Sequence, residues 1–309
     1  IGVSPPNSGM SSLLQAIGAI PNLIFMKFLL FHDRLKIKTN MNVLLIDGNE
    51  KEASDRYIKL GMDTQFDVYK KILNKKSEKL NITIIHPAVL DEYLPFGVNL
   101  DDFEAVVWTG SLLNIYDDSK SIIKQIDLAK ELLKRKNKIF GSCWGLQVLV
   151  TAAGGKVRKN PNGLEAIVAK NINLNEEGVN HDMYKNKKKS FNAFCWHYDE
   201  AEILPKDTIT LASNKKSKFQ SISFNFDQST VWAVQYHPEF NAKWMAGLIE
   251  QRKEILMENK IYEKISDLEK EKKIFENNDI TFDEKNLYSD LLDEDLHSLE
   301  LTNWLNYKN

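Results

Sequence analysis

The chain has 309 residues, of which 43% are hydrophobic, so it can bury one large core or two modest ones. Its formal net charge of −2 provides no general attraction to nucleic acid or to an anionic membrane, and neither is expected as a partner. Two cysteines are too few for a disulfide framework and favour a reduced, cytoplasmic setting, and the six histidines lack zinc-site spacing, so no metal is expected.

The first forty residues lack the features of a membrane span or of a signal peptide. The apolar stretch 13–31 is interrupted by Pro21 and Lys27, which argue against a transmembrane helix. Basic residues follow this stretch, whereas those of a signal peptide precede it. Because "MNVLLIDGNE" from Met41 is typical of a first strand, residues 1–40 are interpreted as a leader that is either not native or disordered.

From Met41 onwards, short apolar strands alternate with helical patterns. Strands are predicted at 43–46, 82–85, 105–108 and 139–140, and helices at 53–73 (with a break near Gly61), 119–136 and 144–153. Continuous apolar strands between amphipathic helices are typical of a mostly parallel sheet covered by helices on both faces. The predicted fold class is therefore α/β.

The segment after Gly155 has a different pattern. Strands are predicted at 164–169, 209–212, 219–224 and 231–235, with little helix between them, and a helix follows at 242–258. We therefore expect a smaller antiparallel strand region beside the parallel sheet. The lysine-rich stretch 185–189 ("KNKKK") is interpreted as a solvated loop, because no aromatic residues alternate with its charges to suggest a base-stacking surface.

The C-terminal segment 259–309 is acidic and carries an apolar stripe. The stripe is formed at helical spacing by Leu287, Leu291, Leu292, Leu296, Leu299 and Trp304. A wholly disordered acidic tail would not need such a stripe, so the segment is predicted to be an amphipathic helical extension that docks on the domain 41–258 or on a partner. Self-association as a homo-oligomer stays open.

The sequence "KIFGSCWGLQ" places Cys143 between two glycines where a predicted strand becomes a helix. Small neighbours are expected where a sharp turn strains a nucleophile's backbone and brings other backbones close. The amides and dipole of the following helix are expected to stabilise the thiolate and lower the thiol pKa. The alternative is that the glycines only end a strand and that the cysteine is a small hydrophobe. Cys195 lacks flanking glycines and is interpreted as structural.

A base for this nucleophile is expected in "VQYHPEF", just after the last predicted strand of the sheet. His237 and Glu239 are two residues apart, so in an extended segment both face the same way. Glu239 can then hold one imidazole nitrogen while the other faces Cys143. His197 competes as the base, but its only candidate carboxylate partner is Asp199, and we rank it second.

Further candidates lie at the same edge of the sheet, because ligands of open α/β sheets gather at the carboxyl ends of the strands. Gly110 and Ser111 follow a predicted strand, and a glycine opposite the cysteine turn is a natural second oxyanion donor. Gln147 lies one turn into the helix after Cys143 and is expected to contact the substrate. The alternatives are an ordinary turn and an ordinary polar helix residue.

Together these stretches resemble the class I glutamine amidotransferases, most closely stand-alone domains similar to the amidotransferase half of GMP synthase. "GSCWGLQVLVTAAGGKV" resembles the family's nucleophile elbow, "WTGSLLNIYDD" its oxyanion strand and "VWAVQYHPEF" its His–Glu end, and "WHYDEAEILPKDTITLAS" is similar to the loop and hairpin over its glutamine pocket. The resemblance covers about 41–258 and implies a flavodoxin-like sheet.

The resemblance implies a Cys143–His237–Glu239 triad that attacks the γ-carboxamide of glutamine, forms a γ-glutamyl thioester, releases ammonia and then frees glutamate. It implies oxyanion contacts from the amides of Gly110 and Trp144, and no cofactor. Substrate contacts are implied for Ser111, Gln147, Trp196, His197, Tyr198 and Asp199. Many members of the family have glycine where this chain has Tyr198, so the tyrosine ring is expected to narrow or reshape the pocket.

Three functions remain open from the sequence. The first is an amidotransferase subunit that passes ammonia to a separate ATP-dependent synthetase, because this sequence contains no P-loop or ATP-pyrophosphatase-like loop that could activate an acceptor. The second is a γ-glutamyl hydrolase or peptidase that acts on another γ-glutamyl small molecule. The third is a non-enzymatic binding or regulatory domain, which an intact triad disfavours. The first function is preferred.

Overall fold

The computed structural model of the protein describes residues 40–278, 280–281 and 285–308, together with Gly2. The leader predicted at 1–40 therefore lies outside the described residues, apart from Gly2 and Asn40. No helix within the described ranges is long and apolar enough to cross a membrane. Residues Met41–Asn309 form one compact unit, and the boundary predicted at 258 stays a prediction.

Eleven strands lie in the described part of the chain. They are β1 (Met41–Ile46), β2 (Leu80–Ile85), β3 (Ala105–Trp108), β4 (Lys138–Ser142), β5 (Lys156–Lys159), β6 (Glu165–Leu174), β7 (Ser190–His197), β8 (Asp199–Ile203), β9 (Ile209–Ser213), β10 (Ser221–Phe226) and β11 (Ser229–Val234). Nine of them form one sheet in the order β2-β1-β3-β4-β11-β10-β9-β6-β7, and β5 and β8 pair separately. The first five strands of that order are parallel, and the remaining pairs are antiparallel.

Eleven α-helices accompany these strands in the same ranges. They are α1 (Lys51–Lys59), α2 (Gln65–Lys76), α3 (Lys120–Leu133), α4 (Trp144–Ala152), α5 (Glu176–Asn180), α6 (Ala242–Gln251), α7 (Lys253–Glu258), α8 (Ile265–Asn277), α9 (Lys285–Leu292), α10 (Glu294–His297) and α11 (Leu299–Asn306). The predicted α/β class, with a parallel sheet, an antiparallel region and a helical C-terminal segment, is confirmed.

Side chains of β1 divide the core between the two faces of the sheet. Val43 and Leu45 pack with α2 on one face, and Leu44 and Ile46 pack with α3 on the other. All four are fully buried, and each contributes about 1.5–3 kcal/mol by leaving water. An unbroken apolar run is therefore required, which is why the sequence signal for these strands is strong.

The helix predicted at 53–73 is two helices, and the predicted break near Gly61 is confirmed. Gly61 has a φ of 68°, which ends α1 in the left-handed region that glycine adopts readily. Thr64 then caps α2, because its hydroxyl accepts a hydrogen bond from the Asp67 amide. This break brings Gln65, the first residue of α2, to the carboxyl edge of the sheet.

The antiparallel part is more extensive than predicted. Its strands β10, β9, β6 and β7 extend the parallel sheet directly, and the sequence pattern predicts neither β7 nor the β5–β8 pair. Along β7 nearly every side chain is buried, because helix α9 covers this edge of the sheet. The alternation that marks a half-exposed strand is therefore missing.

The predicted apolar stripe of the C-terminal segment is buried in part. Leu291 and Trp304 are each only 1% exposed, whereas Leu296 is 39% exposed. Leu301, which the stripe omits, is fully buried. The helical nature of this segment is confirmed, and in the described ranges it docks on the chain's own sheet.

The interpretation of 185–189 as a solvated loop is wrong for Lys187. Its side chain is 5% exposed and its ammonium group lies 2.7 Å from a carboxylate oxygen of the fully buried Glu300. The same ammonium donates to the carbonyls of Leu296 and His297. Burial lowers the Lys187 pKa and the Glu300 charge opposes that shift. A cluster of lysines does not by itself indicate that C-terminal helices cover one of them.

Candidate active site

The turn at Cys143 is strained in the way the sequence predicts. Cys143 has a φ of 51° and a ψ of −103°, between the end of β4 and the start of α4. A Cβ on Gly141 would lie 2.7 Å from the Gly145 carbonyl carbon, and one on Gly145 would lie 2.7 Å from the Trp108 oxygen. Both glycines are thus required by close backbone approach, which confirms the stated reason for small residues at this turn.

The adjacent strands β4 and β11 bring the cysteine and the histidine segments to one edge of the sheet. Ser142 pairs with Val234, and the Cys143 amide donates to the Val234 carbonyl at 2.8 Å. His237 follows Val234 by three residues, and its own amide donates to the Phe194 carbonyl at 2.8 Å. The parallel pairing therefore anchors both segments by main-chain hydrogen bonds at the carboxyl ends of neighbouring strands.

The imidazole of His237 is fixed by a carboxylate and by an aromatic ring. Its Nδ1 lies 2.6 Å from Glu239 Oε1, and both side chains are buried. Because a carboxylate only accepts, Nδ1 is the donor in this contact, and in the neutral imidazole Nε2 is then the nitrogen that can accept a proton. The ring stacks on Phe240 at a centroid distance of 4.0 Å and an angle of 7°. The predicted His237–Glu239 contact is therefore present in the structure.

Gly110 lies against the same imidazole. A Cβ at Gly110 would lie 2.6 Å from His237 Cε1 and 2.8 Å from Gln65 Oε1, so this position has no room for a side chain. The Trp144 amide lies near the cysteine sulfur, where its hydrogen bond lowers the thiol pKa. The oxyanion roles of the Gly110 and Trp144 amides stay predictions.

The Glu239 carboxylate has a second contact that the sequence does not indicate. The Ser142 hydroxyl donates to Glu239 Oε1 at 3.2 Å, and the Tyr69 hydroxyl donates to Ser142 Oγ at 2.7 Å. Burial, followed by the Glu239 charge, raises the pKa of Tyr69 well above its usual value. Tyr69 is therefore a neutral donor, and this chain of hydrogen bonds orients the carboxylate that holds His237.

The expected lowering of the Cys143 pKa is wrong for the resting protein. Burial, followed by the charge of Glu239, raises the pKa of the Cys143 thiol to about 12. The hydrogen bond from the Trp144 amide acts in the predicted direction but is the smaller effect. The neutral thiol donates to the Trp196 carbonyl at 3.5 Å. A proton acceptor is therefore needed to generate the thiolate.

A cleft of about 340 Å³ opens beside Cys143. Its walls include the predicted contact residues Ser111, Gln147, Trp196, His197, Tyr198 and Asp199. The Gln147 amide group donates to the Asp199 carbonyl at 3.4 Å, which ties the helix after the cysteine to the opposite wall. Arg56, Arg252 and Ile255 also line the cleft, and no sequence motif points to them. The volume lies at the small end of the range for ligand pockets, about 300–1,000 Å³.

His197, the second-ranked base, is bound on both ring nitrogens. Nδ1 donates to the Asp199 carbonyl at 3.0 Å, and Nε2 lies 3.0 Å from Glu165 Oε2. Its carboxylate partner is therefore Glu165, on β6, and the assignment of Asp199 as the only candidate partner is wrong. The Asp199 carboxylate instead accepts from the Tyr116 hydroxyl at 3.0 Å. With both nitrogens occupied, His197 is a wall of the cleft and has no free nitrogen for a proton transfer.

Two further features bear on the expectations from the sequence, namely possible metal ligands and the second cysteine. Within the described ranges no group of three or more histidine, cysteine, aspartate or glutamate residues has the arrangement of a metal site. Cys195 is fully buried in β7, and burial raises its pKa well above the ordinary value. This fits the interpretation of Cys195 as structural.

The glutamine amidotransferase class-I family model matches residues 66–253, which is more than half of the chain. The chain belongs to this family and is an enzyme of the hydrolytic amidotransferase type. The matched range runs from the second residue of α2 to the first residue of α7, and it includes both the Cys143 turn and the strand end before His237.

Two groups of relatives and one solved structure illustrate the match. A γ-glutamyl-L-1-hydroxyisopropylamide hydrolase from a Pseudomonas species is 28% identical over 74% of this chain and 78% of that protein. γ-Glutamyl peptidase 5 of Arabidopsis thaliana is 26% identical over 64% and 77%. GMP synthase of Wigglesworthia glossinidia brevipalpis is 28% identical, but over 45% of this chain and 26% of that protein. A glutamine amidotransferase from Thermotoga maritima shares the fold, with a TM-score of 0.57, 18% identity and 85% and 98% coverage.

Proposed function

We propose that the protein hydrolyses the γ-amide bond of small γ-glutamyl compounds through a Cys143–His237–Glu239 triad. The observation that carries this proposal is the pair of adjacent strand ends: one supports a cysteine at a strained turn, and the other a buried imidazole bound at 2.6 Å to a carboxylate. Among relatives, the γ-glutamyl hydrolase and peptidase match most of their own length, which supports hydrolysis without a synthetase domain.

Acylation would begin with transfer of the Cys143 proton to His237 Nε2 as the sulfur attacks the γ-carbonyl carbon. Because the resting pKa of the thiol is about 12, the sulfur needs this base at the moment of attack. The amides of Gly110 and Trp144 would receive the oxyanion. Collapse of the tetrahedral intermediate breaks the C–N bond, and the departing amine takes the proton from His237. A γ-glutamyl thioester remains on Cys143.

Deacylation would use water in place of the amine. A water oxygen attacks the thioester carbon, and its proton passes to His237. The C–S bond then breaks, the sulfur recovers the proton from His237, and glutamate leaves. The same imidazole therefore serves both steps, and Glu239 stabilises its charged form each time.

The amino-acid end of the substrate would be held by Gln147 and by backbone groups of 196–199. Gln147 already spans the cleft to the Asp199 carbonyl, and Tyr198 forms the wall where many family members have glycine. We infer that its ring reshapes the entrance and that a γ-glutamyl amide of a small amine is the substrate class, with glutamine as its simplest member.

Mass spectrometry of the acid-quenched enzyme tests this function. The protein would be mixed with glutamine, a γ-glutamyl alkylamide and a γ-glutamyl dipeptide, and the adduct and the released amine would be measured. We expect a γ-glutamyl adduct on Cys143 and faster turnover of the alkylamide than of glutamine. The absence of an adduct with every compound, together with unchanged hydrolysis by Cys143→Ala, would contradict the triad.

A second function, ammonia supply to a separate ATP-dependent synthetase, has one observation in its favour. The chain aligns with about a quarter of a GMP synthase, a protein whose name includes glutamine hydrolysis. In that case, glutamine would be hydrolysed slowly by the isolated chain and faster in the presence of the partner. Pull-down from an extract followed by a glutaminase assay separates the two functions. A retained synthetase that stimulates ammonia release favours the second, and fast hydrolysis by the isolated chain favours the first.

A further inference from the structure

A small cavity adjoins the cleft, with Trp196 and Arg252 in the walls of both, and it borders the imidazole. Its volume is about 20 Å³, and its walls include Tyr57, Gln65, His237, Phe240 and Arg252. A cavity needs about 10–15 Å³ of such volume to hold one water molecule, which also requires two to four polar partners. The cavity is therefore the size of a single water or of a group no larger than one.

Two of the side chains that line this cavity have buried polar atoms without a hydrogen bond among the described residues. They are the Oε1 atom of Gln65 and the Nε and Nη2 atoms of Arg252. Buried polar groups are satisfied in about nine cases of ten, so two such residues on one cavity point to an occupant. One offers an acceptor and the other offers donors. This combination suits a water, which both accepts and donates, and it opposes a protonated amine beside the guanidinium.

The cavity lies beside the imidazole that both proposed chemical steps would use. The position that a Cβ would occupy at Gly110 is 2.8 Å from Gln65 Oε1 and 2.6 Å from His237 Cε1. The side-chain carbonyl of Gln65 and the imidazole are therefore neighbours. The Gln65 amide nitrogen donates to the Tyr57 hydroxyl at 3.4 Å, which turns Oε1 away from that hydroxyl. The Arg252 guanidinium lies over the Trp196 ring, 5.9 Å from its centroid. The main-chain carbonyl of the same tryptophan accepts a hydrogen bond from the Cys143 thiol.

We propose that Gln65 and Arg252 position the water that hydrolyses the thioester. Both act through that water and are positioning residues. The inference rests on the proposed thioester reaction. The guanidinium donates to the water oxygen, and the water donates one hydrogen to Gln65 Oε1. The second hydrogen then points towards His237 Nε2, which can accept it once the departing amine has taken the proton from the imidazole, while Nδ1 keeps its contact with Glu239.

The step balances with these groups. The water oxygen forms a bond to the thioester carbon while its free proton moves to His237 Nε2. The tetrahedral intermediate then breaks the C–S bond, and the sulfur takes the proton back from the imidazolium. The water must approach from the side on which the amine departs, since one imidazole serves both, and the cavity borders that imidazole.

The test uses γ-glutamyl-p-nitroanilide, whose acylation step releases a coloured amine before water enters. Rapid mixing gives the acylation rate, and acid quenching with mass spectrometry follows the decay of the adduct on Cys143. For Gln65→Leu and for Arg252→Met we expect deacylation to slow about 10-fold to 100-fold. Acylation should change less than about threefold for Gln65→Leu, because Gln65 does not line the cleft, and should fall less than deacylation for Arg252→Met, so the adduct should accumulate in both. Hydroxylamine, which attacks thioesters without a base, should restore turnover.

Gln251→Leu is the matched control. The Gln251 side chain also has buried amide atoms without a hydrogen bond among the described residues, but it lines neither the cavity nor the cleft. The Gln251→Leu variant should deacylate at the wild-type rate.

Gln65→Glu retains an acceptor oxygen, so its deacylation rate should fall less than that of Gln65→Leu.

Two results would overturn the inference. One is wild-type deacylation in both Gln65→Leu and Arg252→Met, and the other is an equal loss of acylation and deacylation in both. If one variant fails to fold, the other decides between these outcomes. Failure of the proposed function would look different: Cys143→Ala would hydrolyse the anilide, or no adduct would form in any variant.

Discussion

The nucleophile elbow and the C-terminal helices fix neighbouring parts of the same sheet by different means. At the elbow the constraint is lack of space, because a Cβ on Gly141 would lie 2.7 Å from backbone atoms of α4. In the C-terminal helices the constraint is charge. Lys138, at the start of β4, donates to three main-chain carbonyls at the end of α11, and Lys187 pairs with Glu300.

The C-terminal helices also contact the segment that carries His237. Glu300 accepts from the Tyr236 hydroxyl at 2.6 Å, and Tyr236 directly precedes His237. Steric constraints position atoms narrowly and fail with a single added methyl group. Buried ion pairs fail when one partner is removed but are often replaceable by apolar pairs. Defects at the elbow should therefore appear as lost activity, and defects in the C-terminal helices as lost stability.

The largest effect should come from Cys143→Ala. We expect kcat to fall by about 10⁶-fold and the γ-glutamyl adduct to disappear, because no other group supplies the nucleophile. The fold should persist, since alanine fits the space. Steady-state hydrolysis of a γ-glutamyl amide measures the loss. Cys195→Ala is the control: it removes the other thiol and should retain activity. Similar losses in both variants would count against a nucleophile at position 143.

Glu239→Ala should reduce kcat by about 10³-fold to 10⁴-fold, less than loss of the nucleophile. Without the carboxylate, His237 loses the partner that fixes its tautomer and stabilises its charged form. The kinetics of adduct formation are the relevant measurement, since both chemical steps use the imidazole. A loss as large as that of Cys143→Ala would show that Glu239 does more than orient the ring.

Gly110→Ala should lower kcat about 100-fold. The added Cβ would lie 2.6 Å from His237 Cε1, which is too close, so the imidazole would have to move. The free energy of unfolding should fall by about 1–3 kcal/mol. Gly163→Ala is the control for an added methyl group without a clash: nothing lies within 4 Å of its Cβ position, although Gly163, unlike Gly110, has a positive φ of 73°. That control should lose about 1 kcal/mol of stability and no activity. Equal activity of both variants would remove the steric argument.

Glu300→Ala should act on stability. We expect the free energy of unfolding to fall by about 3–5 kcal/mol, because the Lys187 charge stays buried without its partner. Urea unfolding measures it, and kcat of the folded protein should change little. The double variant Lys187→Met with Glu300→Leu should recover most of the stability. If Glu300→Ala unfolds at the wild-type urea concentration, the ion pair does not hold α11.

The smallest expected signal concerns the resting thiol. Burial raises the pKa of Cys143 to about 12, so the group stays protonated as pH rises from about 6 to about 9. The ultraviolet difference spectrum between wild type and Cys143→Ala should therefore contain no thiolate band over that range. A band already present near neutral pH would mean that a thiolate–imidazolium pair exists before substrate binds.

The sequence determined the class of the fold, the elbow and the histidine–glutamate pair. Each of these signals is local: an apolar run of four residues, a cysteine between two glycines, and two side chains two residues apart. Local patterns survive in a single sequence because propensity, φ preferences and side-chain alternation act over a few residues. The contact of Glu239 with His237 is predicted from that alternation, but the structure makes it across a turn at 238–239, beyond the end of β11.

Only the tertiary structure decided the contacts between distant segments. Glu165 binds His197 from 32 residues away, and Lys187 meets Glu300 from 113 residues away. Gln65 and Arg252 reach one cavity from two different helix ends. The raised thiol pKa likewise depends on burial, which sums over the whole fold and outweighs the local amide of Trp144. Burial and long-range pairing have no local pattern, so they require the folded chain.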